Sequence, residues 1–312
     1  MATITAPTPA PATTPAGRRL PPWRRVPAGL LFTLPFLVFY VAFLVWPTLS
    51  ALYLSFFNES LTGTRGEWVG LANWAEMFGD SAMWASFGNT LYFTLLTTPP
   101  LVVLGLVMAL LTNRAMPLRW LWRMSFFAPF LLPASVVALI WIWLFQPGFG
   151  LVNDTLTRIG LAELGWLTEP ELAMVSVAIA TVWWTVGFNY LLYLAALQQI
   201  PQHLYDAAAI DGAGWWQRLR SVTLPMLRRT TGLVIVLQIL ASLRVFDQIY
   251  LLYQGTGGPG FAARPILEHV YTTAFTNFRF GYASAISTFF FALIVAVSAV
   301  QLKLFARKGP DR

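Results

Sequence analysis

The chain has no cysteine, only two lysines and few charges of any kind. Without cysteine it can form no disulfide, no thiolate nucleophile and no thiolate metal site. Both lysines, Lys303 and Lys308, stand near the C-terminal end, so no phosphate-binding loop lysine exists. No HExxH, GxSxG or GxxxxGK[ST] segment occurs either. The two histidines, His203 and His269, lie far apart and show no ligand spacing. These absences remove the usual parts of an enzyme, so any energy the protein uses is supplied by another chain.

Charged residues make up 11% of the 312 positions, against about 25% in soluble domains. Hydrophobic residues make up 57% and fall into long runs, not alternating stripes, so the excess is membrane-spanning. The fold class read from this is all-α, a polytopic membrane protein, because an open strand would leave backbone groups unpaired in lipid. Six spans are expected, at 29–52, 88–112, 123–146, 172–197, 230–253 and 282–305. Each holds the roughly 20 residues that a helix needs to cross the hydrocarbon. Residues 1–27, with seven prolines among Ala and Thr, read as a disordered tail, and 307–312 as a short C-terminal tail around a domain at 28–306. The first apolar run is too long for a cleaved signal peptide.

The net charge of +7 does not point to nucleic acid, because no basic stripe is interleaved with aromatics on a soluble domain. The basic residues instead flank the apolar runs. Fifteen of the 20 fall in the N-tail, the 113–123 turn, the 198–229 loop and the C-tail. Arg65, Arg158, Arg264 and Arg279 fall on the other side, and Arg244 lies inside the fifth span. Positive charge concentrates on the cytoplasmic face, so both termini are expected there.

The 198–229 loop carries the most information. Pro201 suits the first turn of a helix. Asp206 and Asp211 flank Ala207, Ala208, Ala209 and Ile210, and Gly212, Ala213 and Gly214 follow. Small residues let another backbone approach, and glycine permits a sharp turn between two short helices. Trp215, Trp216, Leu219 and Val222 give the second helix an apolar side, and Leu224-Pro225 is expected to end it. The pattern describes a helix–turn–helix plug that docks into a groove. An amphipathic segment lying on lipid is the alternative, although such segments favour bulky apolar residues backed by lysine.

DAAAIDGA at 206–213 followed by LP at 224–225 resembles the EAA loop of permease subunits from binding-protein-dependent ABC importers. The resemblance is to the sugar-permease branch, of the maltose and glycerol-phosphate type. It extends over 29–305 through WVGLANW at 68–74, GNTLYFT at 88–94 and FAPFLLPASVVALIWIWLF at 127–145. GLVND at 150–154, VFDQIYLLYQGTGGPG at 245–260 and FGYASAIS at 280–287 continue the series. Asp206 departs from the family pattern, which usually has glutamate, and the N-terminal tail is not part of the family core.

The resemblance implies a permease in the plasma (inner) membrane of a bacterium or archaeon. Its implied partners are a second permease, usually a different chain, two ATPase subunits and an extracytoplasmic sugar-binding protein. ATP and Mg would sit on the ATPases, with no cofactor in this chain. By the same resemblance Asp206, Ala207, Ala208, Asp211, Gly212 and Ala213 couple to the ATPase, with Leu224 and Pro225 as the stop.

Candidates for a substrate path lie in the fourth span. Trp183, Gly187 and Tyr190 are spaced i, i+4 and i+7 on one helical face, with Trp184, Asn189 and Tyr193 nearby. Aromatic faces beside amides suit a carbohydrate, but membrane packing explains any single tryptophan as well. Asn189 is the stronger candidate, because a buried amide needs partners. In the fifth span Arg244 and Asp247 are spaced to pair, and Asp247 is also a path candidate. Pro129 and Pro133 predict a kink or exposed polar backbone in the third span. Two other classes stay open: a membrane-embedded enzyme acting on lipid-linked sugars, and an ion-coupled carrier acting alone.

Overall fold

The computed structural model describes residues 28–60, 66–113 and 117–306. The tails at 1–27 and 307–312 lie outside the described residues, as do Arg65 and Arg114. The described chain is nearly all helix, and a two-residue antiparallel ribbon pairing Phe57 with Trp68 and Asn58 with Glu67 is its one sheet.

The described residues 28–50 belong to one unit. It holds α1 (Ala28–Tyr40), a π turn at Val41–Val45 and the start of α2 (Trp46–Leu54). From Phe32 onward its large apolar side chains are exposed, as in a helix whose solvent is hydrocarbon.

The second unit, Ala51 onward, carries the remaining spans. α3 (Ala72–Gly79) precedes α4 (Ser81–Thr112), which starts seven residues before the expected 88. Asp80 causes the early start: its carboxylate accepts the Ala82 N–H at 2.8 Å and caps the helix. α8 (Pro170–Gln198) and α14 (Phe280–Ala306) agree with the fourth and sixth expected spans.

The third span is not one helix. α5 (Arg119–Phe127) runs into a 3₁₀ turn at Ala128–Leu131, and α6 (Ala134–Leu144) leaves at 100° to it. Leu132 is extended, as the residue before a proline prefers, and Pro133 brings no N–H to continue the ladder. Among the described residues five helices are long and apolar enough to span, and six if the bent pair counts as one broken span. α7 (Leu151–Arg158) follows and is anchored through buried Asn153, which exchanges hydrogen bonds of 3.1 Å with Leu164 and accepts from Trp166.

The fifth span also differs. α9 (Gln202–Ile210) and α10 (Trp215–Arg218) precede it, and α11 (Leu224–Leu243) ends at Arg244, ten residues short of the expected 253. A separate α12 (Asp247–Leu252) then folds back to pack on α6 and α8. Arg244 and Asp247 thus lie on opposite sides of a break and form no ion pair; Arg244 Nε donates instead to Leu240 O at 3.2 Å. α13 (Ile266–Tyr271) closes the segment before α14.

α4 and α8 run side by side and form the centre of the bundle, with α11 across both. At Gly105 of α4 an added Cβ would lie 3.0 Å from Asn189 Cβ and 3.2 Å from the Tyr190 nitrogen. Only glycine lets the two backbones meet this closely.

Candidate functional site

The short helices α9 and α10 form an exposed knob between the two long helices. α9 ends in a Schellman turn: Ala213 N–H donates to Ala208 O at 2.9 Å and Gly212 N–H to Ala209 O at 3.1 Å. Gly212 takes φ +73°, which a side chain resists. Gln217 accepts the Gly214 N–H at 2.9 Å and so starts α10. Asp206, Ala207, Asp211 and Gly212 are exposed, while Ala208 and Ala213 are half-buried in the turn. Ile210 is 87% exposed, Trp215 59% and Trp216 62%, so the tip offers a broad apolar surface.

The knob is fastened to the helix behind it. Tyr205 and Thr223 share a hydroxyl hydrogen bond of 3.1 Å, and Arg218 Nε donates to Ala213 O at 2.8 Å. Leu224-Pro225 does not stop the second helix. A π turn at Leu219–Thr223, closed by Leu224 N–H on Leu219 O, carries it through, and Trp215–Leu243 is one continuous 29-residue helix. The wider turn absorbs the donor that Pro225 lacks.

The second feature is a cavity of about 260 Å³ midway along α8. Phe93 of α4, Phe130, Thr181, Thr185 and Phe188 of α8, Gln238, Ala241 and Ser242 of α11, and Gln248 of α12 line it. At 1.5 Å per residue Thr181 lies about 17 Å and Phe188 about 27 Å from the start of a helix about 43 Å long. Phe130 and Phe188 stack at 5.5 Å. A neutral chain of hydrogen bonds runs behind the lining: Asn189 to Gln238 at 3.2 Å, Gln238 to Ser242 at 3.3 Å, and Ser242 with Thr97 at 3.1 Å.

The path candidates fall in different places. Asn189 is buried and holds the cavity wall through Gln238. Trp184 lies beside the cavity and donates to Leu132 O at 3.1 Å, a carbonyl freed by the break at Pro133. Trp183 points to an apolar groove and meets Trp141 edge-on at 5.8 Å. Tyr190 is fully buried, its hydroxyl on Thr112 at 3.0 Å and its ring against Phe126. Gly187 lies against the Phe126–Phe127 backbone. Gly187 and Tyr190 are therefore packed, Trp183 faces the groove, and none of the three lines the cavity. Asp247 is exposed at the start of α12, and its neighbour Gln248 does line the cavity.

Sequence reasoning missed Thr181, Thr185, Gln238, Ser242 and Gln248. The spacing of Thr181, Thr185 and Phe188, i, i+4 and i+7, is a usable signal. The tryptophans outweigh it because they are larger.

A family model described as the binding-protein-dependent transport system inner membrane component matches residues 101–308, two-thirds of the chain. The chain belongs to this family. The sulfoquinovosyl glycerol transport system permease protein of Agrobacterium fabrum is 34% identical over 93% of this chain and 96% of its own. The trehalose/maltose transport system permease protein of Thermococcus litoralis is 33% identical over 90% and 95%. The sn-glycerol-3-phosphate transport system permease protein of Yersinia pestis is 31% identical over 89% and 94%. A crystal structure of a bacterial ABC transporter involved in the import of alginate shares the fold, with a TM-score of 0.79 at 24% identity, over 92% of this chain and 99% of that one. This inner membrane component is a multi-pass permease subunit of an ABC importer. Neither an enzyme acting on lipid-linked sugars nor a stand-alone carrier finds support among these relatives.

Proposed function

We propose that this permease pairs with a second, different permease to enclose the path of a carbohydrate importer, and that α9, Gly212 and α10 seat in a cleft of the ATPase that drives it. On this reading an extracytoplasmic binding protein delivers the sugar. Two ATPase subunits hold ATP and Mg, and both termini face the cytoplasm of a bacterial or archaeal cell. The relatives' names, which span disaccharides, a sulfosugar glycoside and glycerol phosphate, support carbohydrate as the class. The excess of Arg and Lys at the loop and tails supports the orientation.

The observation that carries the proposal is the rigid join between knob and span. Because α10, the π turn and α11 form one helix, a push on the exposed tip moves α11, and with it Gln238 and Ser242 in the cavity wall. ATP and loaded binding protein then bias one two-state element from opposite ends, each binding its two states differently. In this coupling Asp206, Ala207, Ala208, Asp211, Gly212 and Ala213 present the surface, and Leu224 and Pro225 belong to the shaft.

Gly212→Trp tests it. The added ring has open space but a strained backbone, so the protein should still reach the membrane. Substrate-stimulated ATP hydrolysis and uptake should both be lost. If both persist, the docking role is wrong.

A further inference from the structure

We propose that Arg119 and Arg123 of α5 hold the phosphodiester headgroup of an anionic phospholipid at the end of the bundle that carries the knob.

α5 begins just past the end of α4 and packs on both α4 and α8. Its Phe126 ring meets Tyr190, whose hydroxyl reaches Thr112 at the end of α4. Along α5 the usual pattern of a water-facing helix is inverted. Leu118, Trp120, Leu121, Trp122 and Met124 are exposed, whereas Arg119, Arg123, Phe126 and Phe127 are half-buried. The half-buried set follows i, i+4, i+7 and i+8, one helical face. Charges turned toward the bundle and apolar groups turned outward are the arrangement hydrocarbon favours. Trp120 and Trp122 suit the membrane–water boundary, where tryptophan gathers.

The two guanidinium groups are not matched within the fold. Arg119 Nε, Arg123 Nε and Arg123 Nη2 have almost no accessible surface and no hydrogen-bond partner among the described residues. No ion pair among those residues involves either side chain. The packed helices offer no carboxylate nearby. α4, α5, the 3₁₀ turn and α6 have no acid, and Glu171, the one acid of α8, stands in its first turn at the opposite end. Two cations with three unmatched donors are unfavourable, so the site favours an anion arriving from outside the fold. The N-terminus of α5 adds to the field, since Leu118 provides no side-chain cap and no acid stands in the first turn. A phosphodiester carries one negative charge and several acceptor oxygens, which suits guanidinium forks. Four residues at 1.5 Å each set the two arginines about 6 Å apart along the helix, close enough to share one phosphate. A lipid brings that group together with acyl chains that cover Leu121, Trp122 and Met124, whereas a free anion leaves them bare. Basic clusters among spanning helices recognise acidic headgroups in this way.

The test uses the purified importer complex in neutral detergent, with phosphatidylglycerol, phosphatidylcholine or inorganic phosphate added. Native mass spectrometry counts retained lipid, and the melting temperature is followed in parallel. The parent should retain phosphatidylglycerol about tenfold over phosphatidylcholine. It should also melt higher with phosphatidylglycerol, and inorganic phosphate should not reproduce the rise. Arg119→Gln combined with Arg123→Gln removes both charges and should bring phosphatidylglycerol retention down to the phosphatidylcholine level. Arg119→Gln alone, a milder change at the helix start, should lower it about threefold. Arg228→Gln removes an exposed arginine near the start of α11 and should leave retention as in the parent. Equal retention of the two lipids, protection by phosphate as strong as by phosphatidylglycerol, or an equal loss in Arg228→Gln would overturn the inference. So would a double variant that sheds a partner subunit yet keeps its lipid, because the arginines would then grip a protein.

Discussion

Glu268 has no exposed surface. Burial pushes its carboxyl up to about 7, with the Arg264 guanidinium and the Gly257 backbone N–H pulling the other way. His269 beside it is held below the usual imidazole range by burial and by Arg264, with Asp80 at 3.6 Å opposing. Asp80 itself would rise by burial. Hydrogen bonds from Tyr282 and the Ala82 and Met83 amides, and the charge of His269, bring it net below its ordinary value. Between about pH 4.5 and 7 unfolded Glu268 ionises while the folded one keeps its proton, so its contribution to stability falls as pH rises. His269 has the opposite slope: below about pH 6.5 the unfolded ring takes a proton that the folded one resists, so stability falls as pH drops. The two partly cancel in the parent. In Glu268→Gln the melting temperature of the detergent-solubilised protein should therefore drop more steeply from pH 6.5 to 5 than in the parent. Equal slopes would show that Glu268 is not held protonated. This burial is not legible in the sequence, where Glu268 reads as one more acid in a loop rich in turn residues.

Among the elements, the knob is the most legible, since proline at 201 and glycine at 212 dictate a helix start and a left-handed turn locally. The shaft is not. Leu224-Pro225 satisfies the local rule for a helix end, and only the π turn before it, a feature without a sequence signature here, keeps the helix continuous. The break in the third span is half legible: two prolines announce a kink, but neither its 100° angle nor the arrival of Trp184 from α8 on the Leu132 carbonyl follows from local pattern. The ties between knob and shaft make a prediction at this scale. Tyr205→Phe removes the Thr223 hydrogen bond, worth about 0.5–1.5 kcal/mol, and should barely change the melting temperature. It should raise the ATP hydrolysed per solute imported, because the tip then moves partly without α11. An unchanged ratio would mean that the helical join alone transmits the motion.

For the whole molecule, composition and spacing disclose the class, the number of spans and their order. What they do not disclose lies between helices: which face of α8 packs and which lines the cavity depends on where α4 and the bent α5–α6 pair meet it. Gly105 and Gly187 decide that by letting backbones touch, and Trp141 and Trp183 meet edge-on beside an apolar groove. In the proposed function the α9–α10 tip is the surface that a motor subunit grips. The chain has no cysteine, so one placed at exposed Ala207 is its sole thiol. With Ala207→Cys in native membranes, a short thiol-directed cross-linker should yield one dominant adduct containing a nucleotide-hydrolysing subunit, and added ATP should change its yield. An introduced thiol that is abundant and reacts freely with small reagents, yet captures no ATPase, would contradict the account.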